Sequence, residues 1–284
     1  MALSIGTNDG AMRASQAASI AARGMEASME RLSTGKRINS ASDDAAGVAI
    51  SSRLSAEVRG TNQSIRNALD GQALIDTAEG AHKEVENILQ RMRELAIQAA
   101  NGTNDTGDIT NLEAEFTALS TEITRIGEVT SFAGKALTGT DATAFSFQVG
   151  SGTATANQIS VTINSIKSAS IGTASGTQLS AVVTAGLDDL TETNAAIVVI
   201  DDAIKEVNTQ RSELGAVSNR LNHTVNNLTN ISSNLSSAQG RILDADFALE
   251  TTELAKNQIL QKVSTAMLAQ ANASKQNVMA LLQS

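Results

Sequence analysis

The chain has 284 residues and lacks most of the side chains that fill ordinary compact cores, because aromatic residues make up only 2% of it, with no Trp and no Tyr. The lack of proline permits long uninterrupted helices, and the lack of cysteine excludes disulfides and thiolate metal ligands. A net charge of −9 disfavours non-specific binding to nucleic acid or to anionic lipid. No secretory signal peptide is visible in residues 1–10 and no apolar run has the length of a membrane span, so these features alone predict a cytoplasmic chain without membrane insertion.

The first third of the chain predicts two helices. Small or apolar residues recur every three or four positions from Ala11 to Leu32, which is typical of one helix face. Turn-forming residues follow, and Ser42-Asp43-Asp44 supplies an N-cap for a second helix that reaches about Ala100. Gly60, Gly71 and Gly80 are expected to weaken this long helix locally.

The middle of the chain changes character. Apolar residues from Ile109 to Ile126 repeat with the three-four spacing of a coiled-coil seam and predict a third helix. Residues 131–184 are rich in Ser, Thr, Ala and Gly, and the alternations 145–149 and 159–163 are typical of strands. We therefore expect an exposed module of short strands and turns.

Helical periodicity returns from Ile197 to Leu235 and again from Leu260 to Leu281. Amphipathic helices at both ends of the chain cannot bury their apolar stripes alone, so they are expected to pair with each other or with neighbouring chains. The predicted fold is mainly α, a long antiparallel helical hairpin or coiled-coil bundle with a small β-rich insertion and with the termini forming a coiled pair. The predicted divisions are residues 1–44, 45–130, 131–186, 187–240 and 241–284.

The terminal stripes are the predicted assembly surface, because many of their residues are small enough for close packing of several helices. They comprise Ala18, Met25, Met29, Leu32, Leu260, Val263, Met267, Val278 and Leu281.

Residues that carry catalytic or metal chemistry are missing or misplaced. His82 and His223 have no second ligand at metal-binding spacing, and we interpret both as solvated helix positions. The acidic pairs 43–44, 188–189 and 201–202 are interpreted as helix-start carboxylates rather than acid/base pairs. Arg211, a charge at a core-type position, is expected to cover apolar surface with its stem while its head reaches solvent or an acid. The sequence therefore predicts no enzyme and no cofactor.

Several long motifs at both ends of the chain resemble those of bacterial flagellins, the subunits of the flagellar filament. In the N-terminal half they are ERLSTGKRINSASDDAAG at 30–47 and QRMRELAIQAAN at 90–101. In the C-terminal half they are LGAVSNRL at 214–221, RILDAD at 241–246, QANA at 270–273 and the final Leu281-Leu282. The resemblance covers about the first 140 and last 100 residues and implies a self-assembling structural subunit for swimming motility, with its termini lining the filament core and a short variable centre facing the medium.

The resemblance also implies partners and a location. Flagellins leave the cell through the flagellar export apparatus without a cleaved signal peptide, which reverses the cytoplasmic prediction in favour of a secreted, extracellular filament. It further implies an export chaperone at the C-terminal segment, residues 248–284, and contacts with filament cap and junction proteins. It implies recognition by the host Toll-like receptor that senses flagellin, for which the matching candidates here are Gln90, Arg91, Glu94, Leu95 and Glu115.

Two alternatives stay open at this point. A hook–filament junction protein would share the terminal helices, although the length of the flagellin-like motifs disfavours it. A filament-borne enzyme would need an enlarged central region, and the centre here has no His.

Overall fold

The computed structural model describes residues 7–139 and 143–283, and side-chain surroundings within these ranges apart from 175 and 275–283. This part of the chain forms six α-helices and two small antiparallel β-ribbons, which confirms the predicted mainly α fold with a small β insertion. The helices are α1 Asp9–Thr34, α2 Ala45–Ala99, α3 Thr106–Val129, α4 Leu179–Ala185, α5 Leu190–Leu243 and α6 Phe247–Gln283. The strands are β1 Ser131–Phe132, β2 Lys135–Ala136, β3 Thr143–Gln148 and β4 Gln158–Ile163.

The ends of the N-terminal helices follow local chemistry. The Asn8 side chain accepts a hydrogen bond from the Ala11 amide at 3.1 Å and caps α1, which ends where Gly35 adopts a left-handed φ of 69°. The Asp44 carboxylate accepts from the Gly47 amide at 2.9 Å and caps α2, so the long helix begins where the Ser42-Asp43-Asp44 motif predicts.

The chain divides into two compact units, Met1–Val58 with Asn234–Ser284, and Arg59–Ser233. In the first unit α1 packs along α6 in antiparallel direction, which confirms the predicted pairing of the terminal helices. The segments next to these helices continue the pairing, because the Arg37 amide donates to the Leu243 carbonyl at 2.6 Å and the Ala245 amide donates to the Gly35 carbonyl at 3.0 Å.

The core of the second unit lies between α2, α3, α4 and α5. Phe116 and Ile123 of the predicted coiled-coil seam are buried in it, as the spacing indicates. The other residues of that seam are half-buried and pack against the same core. The largest fully buried side chains of this core are Leu89, Met92, Leu95, Ile123, Leu179, Leu187 and Ile200.

One side of the β-rich segment packs against helices, while other residues of the segment, among them 151–156, are exposed. Strands β3 and β4 pair antiparallel with Phe145 opposite Val161. Every second residue of β4 is buried, namely Ile159, Val161 and Ile163. The segment also contains the short helix α4, which the sequence did not predict. Its core joins residues of α2 and α5, so it belongs to the same compact unit.

Gly71 shows how this packing is achieved. Helix α2 continues through the three glycines that were expected to weaken it. A Cβ added at Gly71 would lie 3.1 Å from the ring of Phe147, closer than an ordinary van der Waals contact. The glycine thus makes room for an aromatic ring of the β-rich segment, which offsets its low helix propensity.

Candidate assembly and recognition surfaces

The contact between α1 and α6 is built from small and polar side chains. The buried residues of α1 in the described range are Ala14, Ala21 and Ser28, at successive seven-residue steps. On α6, Glu250 and Ser264 are buried. Helices that meet through such small residues can approach closely, and they leave their larger apolar residues for other surfaces.

The predicted stripe residues of both helices are half-buried or exposed in the single chain, as far as their side chains are described. On α1, Ala18, Met25 and Leu32 are half-buried, whereas Met29 is 54% exposed. Five exposed apolar residues of α6 lie on one side of the helix, because successive residues of an α-helix are rotated by about 100°. We call these five residues the outward apolar face of α6. They are Leu249, Ile259, Leu260, Val263 and Met267.

Residues near the ends of the chain have two different surroundings. Ala271 contacts α1, as an added Cβ at Gly10 would lie 3.6 Å from its Cβ, whereas Val263 and Met267 are 49% and 62% exposed. Val278 and Leu281, the remaining predicted stripe residues, lie outside the described side chains. Exposed apolar residues grouped on one side of a polar helix are typical of a surface that binds another protein.

A second candidate surface lies on α2 and α3 in the other unit. The Arg91 guanidinium donates to Glu115 of α3 at 2.9 Å and to Glu94 at 3.0 Å. The hydrogen bonds from Arg91 to Glu94 and then to Glu115 raise the pKa of Arg91 above its ordinary value. The Gln90 amide donates to Glu86 at 3.4 Å. The geometry thus groups Arg91, Glu94 and Glu115 on an exposed patch with Gln90 beside it.

Leu95 does not belong to that patch. It is fully buried among Met92, Phe116 and other residues of the core, so its side chain is not available to a partner. The reason is spacing, since Leu95 lies three residues after the buried Met92 and therefore on the same helix face.

His82 is buried, which corrects its interpretation as a solvated position. It is 0% exposed on the inner side of α2, and its Nδ1 lies 2.7 Å from the Ala78 carbonyl oxygen. Because a carbonyl can only accept, Nδ1 carries the proton and Nε2 is the acceptor. Nε2 has no hydrogen-bond partner among the described residues. His223, in contrast, is exposed on α5 as expected.

Arg211 behaves as the sequence suggested. Its guanidinium donates to the Glu86 carboxylate, and a second acid, Glu79, lies 3.7 Å away. Burial, the largest cause, and the charge of Arg211 lower the pKa of His82 below its ordinary 6.5, although the hydrogen bond with the Ala78 carbonyl acts in the opposite direction. The Arg211 cation is thus paired with acids, and the nearby imidazole of His82 is buried and neutral.

The burial of His82 predicts a specific dependence of stability on pH. With its pKa lowered in the folded chain, the unfolded chain binds the proton more readily. The stability that neutral His82 provides is complete above pH 6.5 and is lost as the pH falls from there to the folded-state pKa. Denaturant unfolding of the His82→Gln variant between about pH 7.5 and 5 should show a shallower loss than the parent. His223→Gln is the matched control, and an unchanged slope in the His82 variant would contradict the prediction.

The interpretation of Asp201 and Asp202 as helix-start carboxylates is wrong. Asp201 and Asp202 lie inside α5, which begins at Leu190, and Asp201 binds Arg93 of α2 at 2.6 Å. Asp43 lies just before α2 as predicted, and hydrogen bonds from the backbone amides of Ser40 and Asn39 lower its pKa.

The described residues contain no group of three or more His, Cys, Asp or Glu arranged to hold a metal ion. None of the helices in the same part of the chain combines the length and the apolar character that a bilayer crossing requires.

A chain whose end helices pair through small residues, and whose larger apolar residues remain outside, has the features of a helical structural subunit that packs against further copies. The chain belongs to the bacterial flagellin family. Residues 5–142 match the N-terminal helical region of bacterial flagellin, and residues 197–282 match its C-terminal helical region. The part between these two matches contains β3, β4 and α4.

Individual relatives agree with this assignment. The chain is 44% identical to flagellins of Halalkalibacterium halodurans and Bacillus subtilis, over 89% of its own length and 90% and 91% of theirs. It is 35% identical to flagellin C of Vibrio cholerae, over 99% of this chain and 100% of that protein. A solved structure from Vibrio parahaemolyticus, assigned as a flagellar hook-associated protein, superposes with a TM-score of 0.61 at 17% identity, over 71% of this chain and all of the other, and shows likeness of fold alone.

Membership in this family makes the chain a structural subunit of the flagellar filament. The flagellins to which it is similar are structural proteins rather than enzymes.

Proposed function

We propose that the chain assembles into the swimming filament through its two terminal helices, and that the outward apolar face of α6 is buried against neighbouring copies. The observation that carries the proposal is the exposure of large apolar side chains on α6, with Met267 at 62%, although α1 already covers one side of that helix. Burial of such side chains in a homopolymer stabilises it by about 1.5–3 kcal/mol for each side chain that becomes fully covered.

Polymerisation of the purified chain tests this function directly. Addition of salt or of filament fragments as seeds should give filaments visible by electron microscopy. A full-length chain that stays monomeric under these conditions would contradict the proposal. The 44% identical relatives are flagellins, which favours a filament subunit over a hook–filament junction protein.

We also propose that the chain leaves the cell through the flagellar export apparatus and becomes extracellular. An export chaperone that binds residues 248–284 would cover the outward apolar face of α6 before export and so prevent premature assembly. The filament cap and the junction proteins are the further partners that this route requires.

Recognition by the flagellin-sensing Toll-like receptor is a separate proposal for the patch formed by Arg91, Glu94 and Glu115. Arg91 is half-exposed and held between two acids, so its guanidinium is presented in a fixed position. Arg91→Asp should reduce the potency of the purified monomer in a receptor-signalling assay by about tenfold or more, because a central charged contact is reversed.

Arg93→Asp is the matched control for this experiment. Arg93 is on the same helix, pairs with Asp201 and has similar exposure, so its substitution makes the same change of charge at a neighbouring place. Equal effects of the two substitutions, or signalling by the parent chain no higher than by Arg91→Asp, would contradict the proposal.

A further inference from the structure

The contacts between α1 and α6 follow one register, that is, one alignment of α1 residues opposite α6 residues. Gly10 lies against Ala271, Gly24 against Asn257, and Arg31 against Glu250. From Gly10 to Gly24 the contact advances by two heptads along α1, and from Gly24 to Arg31 by one more. Their partners on α6 are separated by the same numbers of residues in the opposite direction. The bridge between Lys36 and Asp244 continues the antiparallel pairing beyond the helices.

The small residues in this contact discriminate poorly between registers. Ala14, Ala21 and Ser28 repeat at heptad spacing along α1, so a slip of one heptad places one small residue where another was. Such a slip moves the helices by about 10 Å past each other. Apolar packing alone would therefore leave alternative alignments close in free energy, as in coiled coils whose register is not fixed by a polar residue.

The ion pair between Arg31 and Glu250 does discriminate. The Arg31 guanidinium is 3.1 Å from the Glu250 carboxylate, and the Glu250 side chain is only 8% exposed. A slip of one heptad would place Gly24 or Ile38 opposite Glu250 in place of Arg31, and a buried charge without a partner is strongly unfavourable. Arg31 is in the last turn of α1 and Glu250 in the first turn of α6, so each also complements the dipole of its own helix.

We propose that Arg31 and Glu250 are positioning residues that fix the register of α1 against α6. The register determines which parts of the two helices stand side by side on the outside of the pair. Its importance for polymerisation rests on the proposed assembly function, whereas the register itself is measurable without it.

Engineered cysteines can report the register because the chain contains none of its own. A Cβ at Gly10 would be 3.6 Å from that of Ala271, within the range that a disulfide spans, so Gly10→Cys with Ala271→Cys reports the native register. Gly10→Cys with Ser264→Cys reports a slip of one heptad in one direction, and Ala17→Cys with Ala271→Cys a slip in the other. Intramolecular cross-links would be quantified by peptide mapping, in filaments and in unassembled chain.

Each reporter pair would be combined with the parent sequence, with Glu250→Gln, with Glu250→Arg, and with the exchange Arg31→Glu/Glu250→Arg. The parent should cross-link the native pair at least about tenfold more than either slipped pair, and each single substitution should raise a slipped pair by a similar factor. The exchange should return cross-linking to the native pair, although it places both charges unfavourably for the helix dipoles. Glu253→Gln, which removes the exposed pair with Lys256, is the control and should change nothing.

Three results would overturn the proposal. One is an unchanged native pattern in both single variants. Another is loss of all cross-links without gain of a slipped pair, which would mean that the ion pair only holds the helices together. The third is failure of the charge exchange to restore the native pair. Filaments that form normally from a variant with mixed registers would contradict only the importance of the register for polymerisation, whereas a parent chain that never polymerises would contradict the assembly function alone.

Discussion

Two carboxylates placed on the outward apolar face of α6 should abolish filament formation while leaving the folded chain intact. Val263 and Met267 are 49% and 62% exposed, and their spacing of four residues puts them on one side of the helix. The double variant Val263→Glu/Met267→Glu should therefore change the stability of the unassembled chain by about 0.5 kcal/mol per site or less. In a filament the same carboxylates would be buried without partners at a cost of several kcal/mol.

The matched control carries the same added charge on a different side of the same helix. Gln258→Glu/Thr265→Glu introduces two carboxylates at exposed positions away from the outward apolar face. Sedimentation after seeding should recover the control in the pellet and leave the Val263/Met267 variant in the supernatant. If both variants polymerise equally, the outward face of α6 is not an assembly surface.

Deletion of a whole terminal segment is the limiting case of the same prediction. A chain without residues 1–40 or without residues 249–284 loses one helix of the pair, and the remaining helix exposes the side that the pair covered. Neither chain should form filaments under conditions in which the parent does, as judged by electron microscopy. Normal filaments from either deletion would exclude assembly through the terminal helix pair.

The helices were predictable because apolar periodicity reports burial along one helix. The start of α2 at Ala45 followed from a cap motif, and the seam from Ile109 to Ile126 became α3. The same periodicity could also have placed His82 inside, since it lies four residues after the buried Ala78 and three before the buried Val85. Its polarity suggested solvent, but the Ala78 carbonyl satisfies one ring nitrogen within the helix itself.

Other features depend on contacts that no local pattern contains. Gly71 lowers helix propensity wherever it stands, and only the fold brings Phe147 against it. Asp201 lies inside α5, but the start of this helix was predicted several residues too late in the chain. The ion pair between Asp201 and Arg93 of α2 was therefore not predicted. The terminal stripes combined residues that face α1 with residues that face outwards, because both kinds are small or apolar and only the paired helices separate them.

The packing of Leu95 leads to the second large expected effect. Leu95→Ala should lower the free energy of unfolding by about 2–5 kcal/mol, because it removes a fully buried side chain from a core shared by α2, α3 and α5. Ile97→Ala, two residues further along the same helix, truncates a side chain that is 49% exposed and should cost much less, about 1 kcal/mol. Denaturant unfolding followed by circular dichroism would measure both values.

The same pair of variants separates packing from recognition on this stretch of α2. If Leu95 acts only in the core, Leu95→Ala should reduce receptor signalling no more than the loss of folded protein requires, while Arg91→Asp reduces it in a chain that remains folded. Equal stability of the Leu95 and Ile97 variants would contradict the core position of Leu95. Loss of signalling by Leu95→Ala at temperatures where it is fully folded would instead assign Leu95 to the recognition surface, through a local opening of α2 that exposes it.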